Sequence, residues 1–219
     1  MKYQRDEGLD LQILSEMMAE IDDPTRQHPS VTDLIYCLTK SAHDSWGSKA
    51  EPSRQTKLYF TIGLGLEKAL LSGRKVEPIA GVFEGIHYHL DSIDNDVLTE
   101  LKTTRIGVKK TPDEFPQGWL KQIMAYCYVT NRTTAKLVVL HVIQPEIQSW
   151  ELEFTPEEVA SNWNWLRSRR ETWEYFRDRE EYPTQFTYNE AWECKECVYK
   201  LVCDARQMTI GYTLPLKNY

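Results

Sequence analysis

The chain has 219 residues, 41% hydrophobic and 11% aromatic, which is enough for one sizeable core with a small appendage. A net charge of −7 excludes an indiscriminate nucleic-acid coat, whose binding depends on Lys and Arg neutralising phosphates, so any DNA contact must be local. Five cysteines, with acids and no long apolar run at the front, argue against a secretory leader or a disulfide framework and predict a reducing cytoplasm. No stretch approaches the roughly 20 apolar residues that cross a bilayer, so no membrane partner is expected.

Leu11, Leu14, Met18 and Ile21 recur at helical spacing until Asp22-Asp23-Pro24, where proline forbids continuation, and this predicts a docking helix within 1–30. Ser30 with Asp33 three residues on predicts the cap of a second helix, with Cys37 near its end. A linker follows from Gly47 to Pro52. Leu58, Ile62, Leu66, Ala69 and Leu70 predict a third helix over 53–71, and its Gly63 and Gly65 suit close packing against a sheet.

The period then changes. Gly85 to Asp91 and Val97 to Thr103 read as two strands joined by the turn-rich Ser92-Ile93-Asp94-Asn95-Asp96, and 136–143 and 149–154 supply two more. A helix over 117–130 separates the second strand from the third. Thr155-Pro156-Glu157-Glu158 is a capping box that starts a long helix, carrying Val159, Trp163, Leu166, Trp173 and Phe176 inward and ending before Pro183. The expected fold class is α/β, a mixed sheet flanked by helices.

Side chains two apart on a strand share a face, so Glu100 and Lys102 point one way while Val97, Thr99 and Leu101 point the other. Asp91, ending the preceding strand, would be brought beside Glu100 by the turn. Two such carboxylates can hold Mg²⁺ or Mn²⁺, and the neighbouring ammonium can steady a phosphate oxygen, which is the chemistry of phosphodiester hydrolysis. Gln122 and Tyr126, i and i+4 on the next helix, share a face that could approach a nucleic-acid strand, and Glu67 on the third helix offers another carboxylate. Lys102, Arg105, Lys109, Lys110 and Lys121 gather positive charge after this strand. Arg167, Arg169 and Arg170 read as a solvated helix face, and Trp119 and Tyr128 as core rings that could alternatively stack on bases.

Cys194-x2-Cys197-x5-Cys203 forms a tight group, with Cys37 far upstream. Thiolates are soft ligands that select zinc or an iron–sulfur cluster, and the one-plus-three split favours iron–sulfur over a zinc ribbon with two close pairs. Cys127 lies in the apolar part of its helix and is read as a buried thiol outside this group.

Helix acid, strand Asp, Glu-x-Lys and Gln-x3-Tyr, in that order, resemble the PD-(D/E)XK nuclease fold in its RecB-like branch. With the cysteines, the chain is similar to the CRISPR-associated iron–sulfur exonuclease family (Cas-four) over about 32–204. The resemblance implies a restriction-endonuclease-like core over 31–193 that includes the long helix, and a cysteine-rich segment over 194–219 packing back on the front of the chain. It assigns catalytic roles to Asp91, Glu100, Lys102, Gln122 and Tyr126, metal binding to Glu67, Asp91 and Glu100, and a [4Fe-4S] cluster to Cys37, Cys194, Cys197 and Cys203. It further implies exonucleolytic trimming of single-stranded DNA ends, and prespacer processing beside a CRISPR integrase. The family commonly places a histidine where this chain has Glu67. His87 and His89 share the face of Asp91 by strand parity, and one of them could substitute. The competing expectations are a DNA-end-binding adaptor with a decayed site and a zinc-stapled interaction protein.

Overall fold

The computed structural model describes residues 28–47, 50–74, 79–94, 96–183, 191–195 and 197–210, together with Gly8, Gln12, Ile13, Ser15 and Glu16 near the front. The apolar residues of the expected docking helix, Leu11, Leu14, Met18 and Ile21, lie outside the described residues.

Two short helices open the described chain, α1 (Val31–Ile35) and α2 (Leu38–Trp46). Ser30 caps α1 as its spacing requires: the Asp33 amide donates to Ser30 Oγ at 3.1 Å, and the Ser30 amide donates to Asp33 Oδ2 at 2.8 Å. Cys37 stands between the two helices as the N-cap of α2. Helix α3 (Arg54–Arg74) follows, and here the structure departs from the apolar pattern, because Leu58, Phe60 and Ile62 are exposed. Of its two glycines only Gly63 approaches the sheet, where an added Cβ would stand 3.4 Å from Thr103 Oγ1, whereas Gly65 faces open space.

The expected strand over 85–91 forms as β2 (Ile86–Leu90), but it pairs antiparallel with β1 (Ile79–Phe83), unanticipated in the sequence, as a separate two-stranded sheet. Its turn needs left-handed backbone at both Glu84 (φ 46°) and Gly85 (φ 73°), which a two-residue hairpin requires and which only glycine adopts freely. Glu84 then accepts from Trp163 Nε1 at 2.8 Å and from Arg167 Nη2 at 2.8 Å, tying the hairpin to the long helix.

The stretch read as a turn is itself partly strand. Ser92, Ile93 and Asp94 form β3, paired antiparallel with β4 (Val97–Thr104), and the reversal falls just before Val97, with Asp96 at φ 66°. Turn-forming composition misled the reading because alternation over three residues is too short to register as a period. The main sheet runs β3-β4-β5-β6, with β5 (Thr134–His141) parallel to β4 and β6 (Glu146–Glu153) antiparallel to β5. Parallel neighbours need a crossover, and α4 (Gln117–Val129) supplies it, after the 3₁₀ turn Pro112–Glu114.

Strand β5 alternates strictly, burying Ala135, Leu137, Val139 and His141. Against the sheet and the first helices pack α4 and α5 (Pro156–Arg177), and the core joins Leu34, Leu38, Leu90, Leu98, Ile123, Trp163 and Leu166. Thr155 caps α5 through the Glu158 amide at 3.1 Å. Tyr128 stacks on Trp163 at 4.9 Å and Trp119 packs on Phe115 at 5.4 Å, so both rings serve the core. Arg169 is buried, and its guanidinium donates to the carbonyls of Leu34 and Tyr36, satisfying acceptors at the end of α1. This corrects the solvated-face reading of Arg167, Arg169 and Arg170: with Arg170 bonded to the Glu84 carbonyl, all three tether other elements to α5. The chain closes with α6 (Ala191–Lys195) and α7 (Lys200–Ile210). No helix among the described residues is long and apolar enough to cross a membrane.

Candidate metal centre and cysteine cluster

Where β2 leaves the small sheet and β3 enters the large one, Asp91 occupies the joint. It stands one residue beyond the Ser92–Thr99 pair, hence opposite Glu100 in the antiparallel register, and its Oδ2 accepts from the Leu101 amide at 2.6 Å. That bond fixes one carboxylate oxygen against the strand. Glu100 and Lys102 share a face of β4 as parity requires: Lys102 Nζ donates to Glu100 Oε1 at 2.6 Å. Helix α4 lies over the same face and adds Gln122, whose Oε1 accepts from Lys102 Nζ at 2.8 Å and whose Nε2 donates to the Tyr126 hydroxyl at 2.7 Å. A continuous chain of bonds therefore runs Glu100, Lys102, Gln122, Tyr126. Tyr126 is 2% exposed, so it acts on the site through Gln122 and not by touching a ligand.

The electrostatics are those of a site short of positive charge. Glu100 is 2% exposed, and its Oε2 is buried without a hydrogen-bond partner. Burial pushes its carboxyl up to about 8 in spite of the Lys102 ammonium, with Asp91 and Glu67 adding to the rise. Glu67, on α3, is pushed up to about 7, first by burial and then by the Asp91 carboxylate. Asp91 is also raised by burial, although the Leu101 amide, Lys102 and His89 pull it down. Burial alone would lower the Lys102 ammonium, but Glu100 and Asp91 override it and hold Lys102 above its usual range. One lysine among three carboxylates leaves negative charge that a divalent cation would neutralise.

One ligand atom each from Glu67, His89 and Asp91 lie within 4.8 Å of one another. The structure thus brings Glu67 and Asp91 together from α3 and the β2–β3 joint, and adds His89 of β2. The parity of His89 with Asp91 was the sequence signal for it. Oxygen and imidazole donors at this spacing fit a divalent metal ion.

The basic residues after β4 are largely engaged. Arg105 Nη1 donates to the Tyr59 hydroxyl at 2.8 Å and lies over that ring, Lys110 pairs with Glu114 at 3.3 Å, and Lys121 lies over Trp165 at 4.3 Å. Lys109 is exposed.

At the far end of α1 the fold gathers the cysteines that the sequence separates. Burial pushes the Cys203 thiol up to about 11, and Cys37, Cys197 and Cys194 add to the rise, so each of the three lies within electrostatic reach of Cys203. Cys37 is buried, and its amide donates to Glu193 Oε2 on α6 at 2.8 Å, fastening the tail to the front helices. Tyr199 donates to Asp44 Oδ1 at 2.6 Å and accepts from the Ala50 amide at 2.8 Å, a second fastening. Thiolates are soft donors of the kind that bind zinc or an iron–sulfur cluster, although among the described residues the group of donor atoms lying within 4.8 Å of one another contains no cysteine. Cys127 is buried in α4 with its sulfur toward the Thr134 carbonyl at 4.0 Å, and it is not among the groups that perturb Cys203.

No protein-family model and no curated protein matches the chain. Among solved structures, the crystal structure of SSO0001 aligns with a TM-score of 0.57 at 20% identity, covering 93% of this chain and 98% of that one. LHK-Exo in complex with dAMP aligns at 0.46 with 13% identity, over 70% of this chain and 93% of that one. The alkaline exonuclease LHK-Exo from Laribacter hongkongensis aligns at 0.45 with 11% identity, over 76% and 97%. At these identities the likeness to SSO0001 establishes a shared fold, and the two weaker alignments carry no argument about chemistry.

Proposed function

We propose that this protein is a divalent-metal-dependent nuclease that trims single-stranded DNA ends. The observation that carries the reading is Glu100: a carboxylate buried in the core, hydrogen-bonded by Lys102 on one oxygen and unpartnered on the other, with Asp91 and Glu67 close enough to raise it further. Burying such a group costs several kcal/mol unless something is recovered in function, and a structural ion pair would not gather two more acids around itself.

Glu67, Asp91 and Glu100 would hold Mg²⁺ or Mn²⁺. When bound, the ion would supply Lewis-acid polarisation of a phosphodiester and a nucleophilic water at neutral pH. Lys102 commits two of its three N–H donors to Glu100 and Gln122, leaving one to receive a phosphate oxygen as charge builds on it. Gln122, anchored from behind by Tyr126, keeps the ammonium from turning back into solvent. Exposed Tyr59 and Phe60 on α3, with Arg105 over the Tyr59 ring, give unpaired bases a surface to stack on, which supports single-stranded substrate. Cys37, Cys194, Cys197 and Cys203 would hold a [4Fe-4S] cluster that closes a long loop of chain, a structural role. Within this reading, the sequence resemblance makes prespacer ends the substrate and a CRISPR integrase the partner. The reading is tested by digesting labelled single-stranded DNA with Mn²⁺ or Mg²⁺. Cleavage by the wild type that Lys102→Ala abolishes supports it.

A second reading, a DNA-end-binding adaptor, is favoured by Glu67, which puts a carboxylate raised to about 7 where the resembled family has histidine. End binding without cleavage under any divalent ion would establish it instead.

A further inference from the structure

The metal assignment made from the sequence is all oxygen, and the structure offers one nitrogen beside it. We infer that His89 ligates the metal of this site and makes the site select Mn²⁺ over Mg²⁺. The inference rests on the nuclease reading for its context, but its evidence is the geometry of the centre itself.

Three observations carry it. A ring nitrogen of His89 lies within 4.8 Å of a carboxylate oxygen of Glu67 and of Asp91, and those two oxygens lie within the same distance of each other, so one ion can be shared by all three. The neighbouring Glu100 is nine-tenths buried and more, with Oε2 unpartnered and with Asp91 and Glu67 both close enough to perturb it, so a third carboxylate borders the group. Finally, the pairing of β1 with β2 sets Ala80 opposite His89, a small cross-strand neighbour, and the His89 side chain is exposed. His87, two residues earlier on the same face, is opposite Val82 and lies outside the group of three. Only His89 has both the reach and the room.

The selectivity follows from ligand chemistry. Mg²⁺ demands near-ideal octahedral oxygen coordination and gives up its water reluctantly, whereas an imidazole nitrogen suits the first-row transition ions. A site of two or three carboxylates alone would take either ion. Adding one nitrogen tips it toward Mn²⁺, and because His89 is exposed, the ion can reach it from solvent.

The test is a titration of the purified full-length protein, with no DNA present, followed by Mn²⁺ electron paramagnetic resonance. The wild type should bind Mn²⁺ at least about tenfold more tightly than Mg²⁺, and the bound ion should show nitrogen hyperfine modulation from a coordinated imidazole. His89→Ala should abolish the modulation and lower Mn²⁺ affinity about tenfold, with Mg²⁺ affinity changed by less than about threefold. His89→Asp, which replaces the nitrogen with oxygen, should move the preference toward Mg²⁺, while His87→Ala should keep the wild-type spectrum. Nitrogen modulation that is missing from the wild type, or that survives His89→Ala, would overturn the inference, as would an unchanged Mn²⁺ to Mg²⁺ ratio. The two readings fail differently. A wild type that cleaves DNA while its Mn²⁺ shows no nitrogen rejects His89 and leaves the nuclease standing. A wild type whose Mn²⁺ shows nitrogen but which cleaves nothing keeps His89 and rejects the nuclease. If no divalent ion binds at all, both fall.

Discussion

Raising the pH of the metal-free protein should weaken its fold, and a divalent ion should restore it. Glu100 has its ordinary value near 4.5 lifted to about 8 by burial, so through this window the folded state holds a proton that the unfolded state has released. Stability is then present below the unfolded value and is lost as pH rises toward the folded one. From pH 5 to pH 8 this one group removes about 3 kcal/mol, which for a domain of this size lowers the melting temperature by on the order of 10 °C. Glu67, raised to about 7, acts with the same sign. Lys102 is raised above its usual range and stays charged throughout, so it contributes nothing to the slope. His43, held below its usual range by burial, acts with the opposite sign at the acid end, which is why a control is needed. Thermal melts followed by circular dichroism in chelator should show the decline, Glu100→Gln should flatten most of it, and Mn²⁺ should raise the melting temperature far more at pH 8 than at pH 5, where protons compete for the carboxylates. A melting temperature that is level or rising across this range in chelator, with Glu100→Gln unchanged in slope, would refute the account of Glu100 as a carboxyl raised by burial.

Other perturbations probe the remaining parts. Lys102→Ala should lower cleavage of labelled single-stranded DNA by about 100-fold or more while Mn²⁺ still binds, because in the proposed mechanism Lys102 receives the phosphate oxygen and does not ligate the ion. Tyr126→Phe removes the acceptor of the Gln122 amide in a buried setting, at a cost of about 1–2 kcal/mol, and should reduce kcat with little change in KM; an unaffected kcat would mean that Gln122 holds Lys102 without support. The proposed cluster predicts that Cys194→Ser strips iron and visible colour from the purified protein and lowers its melting temperature, with cleavage by the surviving folded fraction retained; normal melting with altered cleavage would reject a structural cluster. Trp163→Ala deletes a ring stacked on Tyr128 and bonded to Glu84, and should cost about 3–5 kcal/mol in denaturant melts.

Much of the architecture was legible because it is local. The Ser30–Asp33 and Thr155–Glu158 boxes announce their helices through contacts three residues apart, and both form as the spacing demands. The strand–helix–strand order from β4 through α4 to β5 is read from the change of period, and the structure makes the two strands parallel. Elsewhere local signals failed. Strand β1 escaped notice because it is largely exposed and lacks a clean alternation, and Ser92–Asp94 looks like a turn until β4 is there to pair with it. The apolar run of α3 promised a buried face that the fold leaves open at Leu58, Phe60 and Ile62.

By itself the sequence determined the types of chemistry present: an oxygen-donor set with a lysine two residues from Glu100, soft sulfur donors kept apart from it, and the order in which helices and strands present them. Residue identity and strand parity carry that information without a third dimension. Only the tertiary structure decided which groups meet. Asp91 faces Glu100 because two sheets join at that residue, His89 reaches Glu67 because α3 lies against β4 beside that joint, and Cys37 comes near Cys203 because the tail folds back over the front helices. Those are contacts between distant segments, set by how the whole core packs, and no window of sequence is long enough to contain them.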